Sequence, residues 1–321
     1  MTEPIIEPDL RWEPTDSTLK FQLGEWILTR RPIRALSCRT HFMSIPVAYP
    51  LVPPEEALLG SGREVAVVTS CPVDSDLPSL KLYPRHIRYV SSRYRHYLVE
   101  TKGTFDDYLA GFKSKTRSGL KRKVNKFHRE FPGEGVFREY RQPEEMAEFL
   151  NEARKISART FQERLLGRGL PEGERFLDEL KEQAGRDQLR GYILFAGDDP
   201  VSFILAPVID EQIALYDYVG FDPAFGHLSP GTVLQYHVVE SLFAEENLTA
   251  YDLCTGEGEH KRLFATRQID CADIYFFRKT FRFLVMTASH LALSRISSSL
   301  VKLLSVLGLK RRLKKFFRAK A

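Results

Sequence analysis

Residues 189–222 read LRGYILFAGDDPVSFILAPVIDEQIALYDYVGFD. The stretch holds three apolar runs, which are separated by short polar turns at 197–199 and 210–211. β-Branched and aromatic residues are frequent in each run, as they are in strands. Because tight turns join antiparallel neighbours, the stretch predicts a three-stranded antiparallel meander.

Helices and further strands flank the meander in the sequence. Upstream, VFREYR predicts a strand, residues 143–166 a helix with proline in its first turn, and residues 172–185 a second amphipathic helix. Downstream, residues 228–247 predict a helix, and LTAYDLCT and DCADIYFF predict two strands. The order of elements over residues 134–277 indicates an α/β (α+β) fold.

The N-terminal part predicts mostly strands. Residues 20–100 contain EWILT, EVAVVTS, HIRYV and HYLVE, short β-rich runs separated by Pro, Gly and Ser. Thr104 then opens a helix, because Asp107 completes a T-x-x-D capping box. Apolar residues recur at helical spacing from there to Phe127, and Pro132-Gly133 ends the helix.

Composition restricts the class of protein. With 321 residues, 43% of them hydrophobic and 28% charged, the chain suggests two globular domains. No stretch approaches the roughly 18 uncharged apolar residues of a membrane span, and the first residues are acidic and proline-rich, unlike a signal peptide. We therefore expect a cytoplasmic protein. The four cysteines are widely spaced and predict neither a metal site nor a disulfide framework.

Positive charge is concentrated at the C-terminus. Residues 1–277 carry 35 Lys and Arg against 42 Asp and Glu, whereas residues 278–321 carry 12 Lys and Arg and no acidic residue. Within residues 296–321, apolar positions at helical spacing precede seven Lys and Arg. This pattern predicts contact with an anionic membrane surface, so that the protein would lie peripheral to the inner membrane. A helix packed on the body and a nucleic-acid contact are the alternatives.

Three segments resemble motifs of the GNAT superfamily of N-acetyltransferases. They are FDDYLAGFKSKTRSGLKRKVNKF (105–127), SPGTVLQYHVVESL (229–242) and YDLCTGEGEHKRLFA (251–265). The resemblance is to the bacterial branch of CelD-like acetyltransferases, which is related to the Fem-type aminoacyltransferases. It covers about residues 100–277.

The resemblance implies a GNAT-type mixed, mostly antiparallel sheet flanked by helices. It implies a strand-rich, degenerate GNAT-like half over residues 1–100 and an acyltransferase domain over 101–277. The charge and apolar pattern adds a basic amphipathic tail over 278–321. The superfamily's usual Q/R-x-x-G-x-G/A pyrophosphate loop is replaced by GHLSPGT (226–232). The donor therefore stays open between acyl-CoA, an acyl carrier protein and an aminoacyl-tRNA.

The activity implied by the resemblance is direct attack of an amine on an acyl thioester, with no covalent enzyme intermediate. Acyl-CoA or an acyl carrier protein would be the cosubstrate, no cofactor would be bound permanently, and the acceptor would be an amine of a lipid or cell-envelope precursor. Two alternatives are a Fem-type aminoacyl-tRNA-dependent transferase and a catalytically inactive scaffold for polysaccharide biosynthesis or export.

Two segments are candidates for binding the donor's phosphates. The helix start at Ser229, Gly231 and Thr232 would offer backbone N–H groups, although it also suits a simple serine-capped helix. Residues 113–129 hold eight Lys and Arg and no acidic residue, and Lys115, Arg117 and Arg122 are the candidates for phosphate contacts. A solvated face is the alternative; nucleic acid is not favoured, because aromatic residues are not interleaved with the basic ones.

The segment 251–265 carries the candidate catalytic groups. Acyl transfer to an amine needs a base for the ammonium proton and positive charge for the oxyanion. The candidate bases are Asp252, Glu257, Glu259 and His260, and Lys261 or Arg262 would supply the positive charge. The alternative is a solvated turn at a strand end. A nucleophilic Cys254 is disfavoured, because a strand cysteine usually belongs to the core.

Overall fold

The computed structural model of the protein describes residues 9–24, 26–47, 54–74, 76–133, 136–159, 170–256 and 258–306. Internal contacts divide the chain into two compact units. Unit 1 comprises Met1–Arg95 and Ile269–Ala321, and unit 2 comprises His96–Gln268. The three-part division at residues 100 and 277 stays a prediction, since the contacts place the boundaries at 95 and 269.

The described residues form twelve strands and eight α-helices, numbered in chain order. The strands are β1 Trp12–Leu23, β2 Trp26–Cys38, β3 Val65–Pro72, β4 Leu80–Leu82, β5 His86–Glu100, β6 Phe137–Tyr140, β7 Leu189–Ala196, β8 Asp199–Ile209, β9 Ile213–Leu215, β10 Tyr218–Phe221, β11 Ala250–Thr255 and β12 Arg267–Arg278. The helices are α1 Glu55–Ser61, α2 Phe105–Ala110, α3 Ser114–Glu130, α4 Met146–Ser157, α5 Glu174–Gly185, α6 Pro230–Phe243, α7 Glu259–Phe264 and α8 Phe281–Val306. Short 3₁₀ segments cover Phe42–Ser44, Pro143–Glu145 and Pro223–Leu228.

Unit 1 is built on the strand order β1-β2-β3-β12-β5, with β4 paired to β5. The β1–β2 hairpin is long, because its register runs from Trp12↔Cys38 to Leu23↔Trp26. Helix α8 packs against β1 and buries Phe283, Thr287 and His290. Within the described residues, no helix is both long and apolar enough to cross a membrane.

Unit 2 is built on the strand order β5-β11-β9-β8-β7-β6, and β10 pairs with β8. Every residue of β7 is buried, because helices cover both faces of the sheet. Tyr192 and Leu194 face the core formed with α3 and α6, and Ile193 and Phe195 face the core formed with α4 and α5. Gly191 lets α4 approach closely, since a Cβ there would lie 2.8 Å from the Phe149 ring.

The predicted mixed α/β class with a mostly antiparallel sheet is confirmed. Antiparallel pairings predominate, while β2 pairs with β3 and β9 with β11 in parallel. The capping box also forms, because the Asp107 N–H donates to Thr104 Oγ over 3.1 Å and the Asp107 carboxylate accepts in return. The degenerate GNAT-like half at the N-terminus stays a prediction.

Three predicted elements have different bounds. The helix predicted from Thr104 onward is divided into α2 and α3, because Lys113 adopts an extended ψ of 139° after Gly111, a poor helix-interior residue. The helix predicted over 143–166 begins as a 3₁₀ turn, and its α-helical part ends at Ser157. Its predicted end at 166 lies outside the described residues.

The third predicted strand of the meander is divided into β9 and β10. Strand β8 pairs with β10 up to Leu205 and with β9 from Val208 onward. Pro207 lies between these pairings. The Val208 N–H donates to Gln188 O on the β7 side over 2.9 Å, so the N–H that Pro207 lacks would face the opposite neighbour. The missing donor explains the interruption after Leu215.

Candidate active site

The interruption of the third strand creates a fork in the sheet of unit 2. Strand β9 runs parallel to β11 for three residues, from Ile213↔Ala250 to Leu215↔Asp252. The Tyr216 N–H still donates to Asp252 O over 2.8 Å. Beyond Tyr216 the chain turns to β8 as β10, so the two strands diverge. We call this divergence of β9–β10 from β11 the strand fork.

Asp252 lies at the base of the strand fork and is almost fully buried. Its side chain is 5% exposed, and its Oδ1 accepts the Cys254 N–H over 2.7 Å. His96 Nε2, on β5, lies 2.7 Å from the same Oδ1 and its side chain is 4% exposed. This environment suits a carboxylate that fixes the geometry of β11 and does not itself contact an acceptor. The base role predicted for Asp252 stays a prediction.

Cys254 lies just beyond Asp252 in a left-handed backbone conformation, with φ of 60°. This conformation is unfavourable for a residue with a side chain, and it coincides with a shift in the register between β11 and β5 from Asp252 to Thr255. Burial, followed by the negative charges of Asp252 and Asp217, raises the pKa of the Cys254 thiol to about 12 despite the nearby Lys261. The thiol is therefore protonated at neutral pH and is a poor nucleophile.

We expect iodoacetamide to alkylate Cys254 about a thousandfold more slowly at pH 7.5 than it alkylates free cysteine, because a pKa near 12 leaves very little thiolate. Peptide mapping by mass spectrometry would follow the reaction, and the same protein in urea, where all four cysteines react, is the control. Rapid adduct formation on Cys254 in the folded protein would argue for a covalent intermediate.

Helix α7 brings Lys261 and His260 to the strand fork. Lys261 Nζ donates to Thr255 O over 2.7 Å and to Cys254 O over 3.5 Å, and lies 5.9 Å from the centroid of the Tyr216 ring. Burial lowers the pKa of Lys261, although Cys254 and Asp252 oppose this effect. The ammonium group has three hydrogens, and the carbonyls of Cys254 and Thr255 accept two of them. One hydrogen is left that these two carbonyls do not use.

His260 faces the ring of Tyr216, with 5.9 Å between the ring centroids. Burial, together with the charge of Lys261, lowers the pKa of His260, so its imidazole is neutral at pH 7. Gly258 leaves room for this ring, because a Cβ at that position would lie 2.8 Å from His260 Cε1. His260 can therefore accept a proton near the strand fork.

The other predicted groups of this segment are less well placed. Glu259 and Arg262 are exposed on α7, and Glu257 lies outside the described residues. Phe264 ends α7 in the core, where its carbonyl accepts a 2.7 Å hydrogen bond from the Tyr108 hydroxyl. The contact holds α7 at the base of the fork.

The sequence reasoning missed Asp217, which lies between β9 and β10 where the strands diverge. Asp217 is exposed, so an amine can reach it from solvent. The protein atoms around its carboxyl group nevertheless displace part of its water, and this partial burial raises the pKa of the group. The charge of Asp217 also acts on the nearby Cys254 thiol. Pro207 was the available signal, because a proline in the middle strand of the meander marks the place where the facing strand loses its pairing.

The predicted donor-binding start of α6 is not a serine-capped helix. Ser229 adopts φ of 56° and its side chain makes no capping hydrogen bond. The N–H groups of Ser229, Thr232 and Val233 already donate to carbonyls at Gly226 or Ser229, over 2.9 to 3.1 Å. Gly231 lies next to the end of β10, because a Cβ there would be 3.7 Å from Phe221 Cδ1. The phosphate role of Ser229, Gly231 and Thr232 stays a prediction.

The basic helix α3 packs against α6 and the 3₁₀ segment that precedes it. Lys126 Nζ donates to His227 O over 3.2 Å, which places this cation beside the start of α6. Lys115 and Arg117 lie in the first turn of α3, about 13 to 16 Å from Lys126 along the helix axis at 1.5 Å per residue. Arg122 is exposed one turn before Lys126. Lys126 is thus a cation of this helix that contacts the segment leading into the predicted phosphate site.

Within the described residues, no group of three or more His, Cys, Asp and Glu side chains is placed to hold a metal ion.

Several solved structures are similar to the chain at low sequence identity. A conserved protein of unknown function from Bacteroides thetaiotaomicron shares 15% identity over 85% of this chain and 86% of its own, with a TM-score of 0.49. FemX shares 10% identity over 86% and 90%, with a TM-score of 0.48. The L-PGS of Bacillus licheniformis shares 15% identity over 81% and 85%, with a TM-score of 0.45. A comparison with curated protein sequences found no match.

The match to a family model is more specific. Residues 114–262 match the model of the acetyltransferase (GNAT) domain. The matched segment lies within unit 2 and runs from α3 through the strand fork to Arg262 in α7. The resemblance of the three sequence motifs to the GNAT superfamily is therefore confirmed. The chain carries a GNAT acetyltransferase domain and is an acyltransferase.

Proposed function

We propose that unit 2 transfers an acyl group from a pantetheine thioester, carried by CoA or by an acyl carrier protein, to the amine of a lipid or cell-envelope precursor. The strand fork is the observation that carries this proposal. It combines an open strand edge, a solvent-accessible carboxylate at Asp217 and a cation at Lys261 in one place.

The open edge of β10 suits the arm of the donor. Strand β10 pairs with β8, and no described strand pairs with its other edge. Such an edge presents N–H and C=O groups that a peptide-like ligand can pair with. Pantetheine contains two amides in an extended chain, so it can pair with this edge and place its thioester at the fork. The start of α6, next to Phe221, would then lie toward the donor's phosphates.

The groups at the fork suit direct aminolysis. The acceptor's nitrogen attacks the thioester carbonyl, and the tetrahedral oxyanion forms within reach of the third hydrogen of Lys261. Asp217 takes the proton that the nitrogen loses as the C–N bond forms. The C–S bond then breaks, and the leaving thiolate takes that proton from Asp217 to depart as the thiol. His260 is the second proton acceptor at the fork. The Asp252–His96 pair holds β11 in the geometry that keeps these groups together.

The donor class is tested by thermal shift. We expect CoA at a hundredfold excess over its Kd to raise Tm by roughly 5 to 10 °C, because a ligand that binds only the folded state stabilises it by about 2.7 kcal/mol. Pantetheine should give a smaller shift if Lys126 and the start of α6 hold the phosphates. Equal Tm values with and without both ligands would contradict a pantetheine donor and favour an inactive scaffold.

Acyl transfer in lysate separates the remaining donors. Product formation, measured by mass spectrometry, should persist after ribonuclease treatment, because a thioester donor needs no RNA. Loss of product on ribonuclease treatment would instead support a Fem-type aminoacyl-tRNA donor. Product that appears with an acyl carrier protein and not with acyl-CoA would identify the carrier.

A further inference from the structure

Exposed apolar side chains are concentrated in unit 1. Among the described residues, eleven large hydrophobic side chains are exposed, and ten of them belong to this unit. Eight of the ten lie on two elements, the start of β2 and helix α8: Trp26, Ile27, Leu28, Phe281, Leu284, Val285, Ile296 and Leu300. Exposed apolar patches of this kind mark interaction sites in soluble proteins.

Helix α8 exposes a row of apolar residues on its outer side. Its inner face is buried against unit 1 through Phe283, Thr287 and His290. The exposed apolar positions recur at mostly one-turn spacing: Phe281, Leu284, Val285, Ala288, Ala292, Ile296 and Leu300. A soluble helix normally turns such a row toward an apolar neighbour, so the outer row favours an apolar partner.

The tip of the β1–β2 hairpin extends this face. The Gly24 N–H donates to Ser297 Oγ over 2.8 Å, and His290 Nε2 lies 3.1 Å from Lys20 O. The hairpin therefore runs along α8, and its tip meets the helix beside Ile296. From Trp26 to Pro32 all seven residues are exposed, so the tip projects into solvent. We call Trp26–Leu28 together with the outer face of α8 the docking surface.

Positive charge surrounds the docking surface. Arg30, Arg31 and Arg34 are exposed on β2, directly after the apolar tip, and Arg295 is exposed on α8. Unit 1 as a whole carries 24 Lys and Arg against 13 Asp and Glu, whereas unit 2 carries 23 against 29. A second copy of the chain would bring the same positive charge to the contact and would be repelled. An anionic bilayer complements both the charge and the apolar face.

We infer that the docking surface inserts into the interface of an anionic lipid bilayer, with Trp26 at its deepest point. Trp suits this position, because its large apolar ring and its N–H group favour the boundary between lipid and water. The inference rests on the proposed function and deepens it, since it names a surface of unit 1 that would bring the chain to the membrane that holds a lipid-linked acceptor. It differs from the contact predicted for residues 296–321, because it adds the hairpin tip and the face from Phe281 to Ala292.

Vesicle sedimentation with the full chain tests the inference. We expect binding to vesicles of phosphatidylcholine with 30% phosphatidylglycerol, and binding about tenfold weaker in the variants Trp26→Ser/Leu28→Ser and Ile296→Ser/Leu300→Ser. The matched control is the double variant Val47→Ser/Leu82→Ser. Both side chains belong to unit 1 and are 52% exposed, but they lie outside the docking surface. Equal binding by all four proteins would overturn the inference.

Tryptophan fluorescence measures the insertion directly. The chain has two tryptophans, so the Trp12→Phe variant reports on Trp26 alone. Its emission should shift to the blue on vesicle binding and should be quenched by brominated acyl chains. Bound protein whose Trp26 emission stays unchanged would overturn the inference in favour of attachment through the basic C-terminal residues.

Two further readouts separate the other outcomes. If the docking surface pairs two copies of the chain, sedimentation velocity will show a dimer that the Trp26→Ser/Leu28→Ser variant loses, and vesicle binding will be absent. Turnover of a soluble thioester with a soluble amine should be unchanged in that variant. Failure of vesicle binding with intact turnover refutes the docking surface alone, and the converse result refutes the proposed function alone.

Discussion

Asp217→Asn is expected to lower kcat/KM for acyl transfer by about a hundredfold at pH 7.5. The substitution keeps the size of the side chain and removes the carboxylate that accepts the proton of the attacking amine. Loss of a positioned general base typically costs a factor of 10² to 10⁴. Steady-state kinetics with a saturating thioester would measure the change, and Asp198→Asn, at an exposed turn of the same meander, is the matched control.

The dependence of activity on pH tests the same role of Asp217. Burial raises the pKa of Asp217, and the residue acts as a base only when it is deprotonated. The activity of the native enzyme should therefore be lost as the pH falls through this raised pKa, at a higher pH than an ordinary aspartate would give. The Asn variant should lack this acidic limb. An unchanged limb in Asp217→Asn would assign it to another group, such as His260.

Stability separates a catalytic role from a structural one at this position. A carboxyl group whose pKa is raised by folding binds its proton more tightly in the folded state. Its contribution to stability therefore decreases as the pH rises through the folded-state pKa. At pH 7.5 the Asp217→Asn protein should accordingly be at least as stable as the native one. A clearly less stable variant would indicate that the side chain holds the strand fork together.

The second large effect is expected at the buried pair below the fork. Asp252→Ala should lower the free energy of unfolding by about 3 to 5 kcal/mol, because it removes the buried carboxylate that lies 2.7 Å from His96 Nε2 and accepts the Cys254 N–H. Asp252→Asn should cost less, since its amide oxygen still accepts the Cys254 N–H. Urea unfolding followed by circular dichroism would measure both values.

Asp270→Ala provides the control for this experiment. Asp270 is 68% exposed and lies 3.8 Å from Arg95, so its removal should change the free energy of unfolding by less than about 0.5 kcal/mol. A double-mutant cycle with His96→Gln would isolate the coupling between His96 and Asp252. Equal losses for Asp252→Ala and Asp270→Ala would show that the buried pair contributes no more than a surface contact.

The elements predicted correctly are those whose signals are local. Residues close together in the sequence determine the capping box at Thr104 and Asp107 and the turn after β7. Both form in the structure. The mixed α/β class followed from the same local patterns. The sequence analysis did not predict the division of the third meander strand, although Pro207 is a signal for it. The proline interrupts the pairing of the strand that faces it, and that strand is known only from the structure.

The site could be predicted only in part. The segment 251–265 stays a predicted site, and the structure places Lys261 and His260 of this segment near Tyr216. The environment of Asp252 could not be predicted, because His96 is more than 150 residues away and reaches it only through the pairing of β5 with β11. Strand β11 lies between β5 and β9 in the sheet, and its Asp252 is buried there.

The open edge of β10 has a consequence for the order of events in catalysis. On the proposed function, the donor takes the place of a missing strand, so that its arrival completes the sheet at the fork and its departure reopens it. The bound thioester would then form part of the binding site of the amine. An acceptor that arrived before the donor would lack these contacts. Sequential binding, donor before acceptor, is thus built into the strand pairing of unit 2.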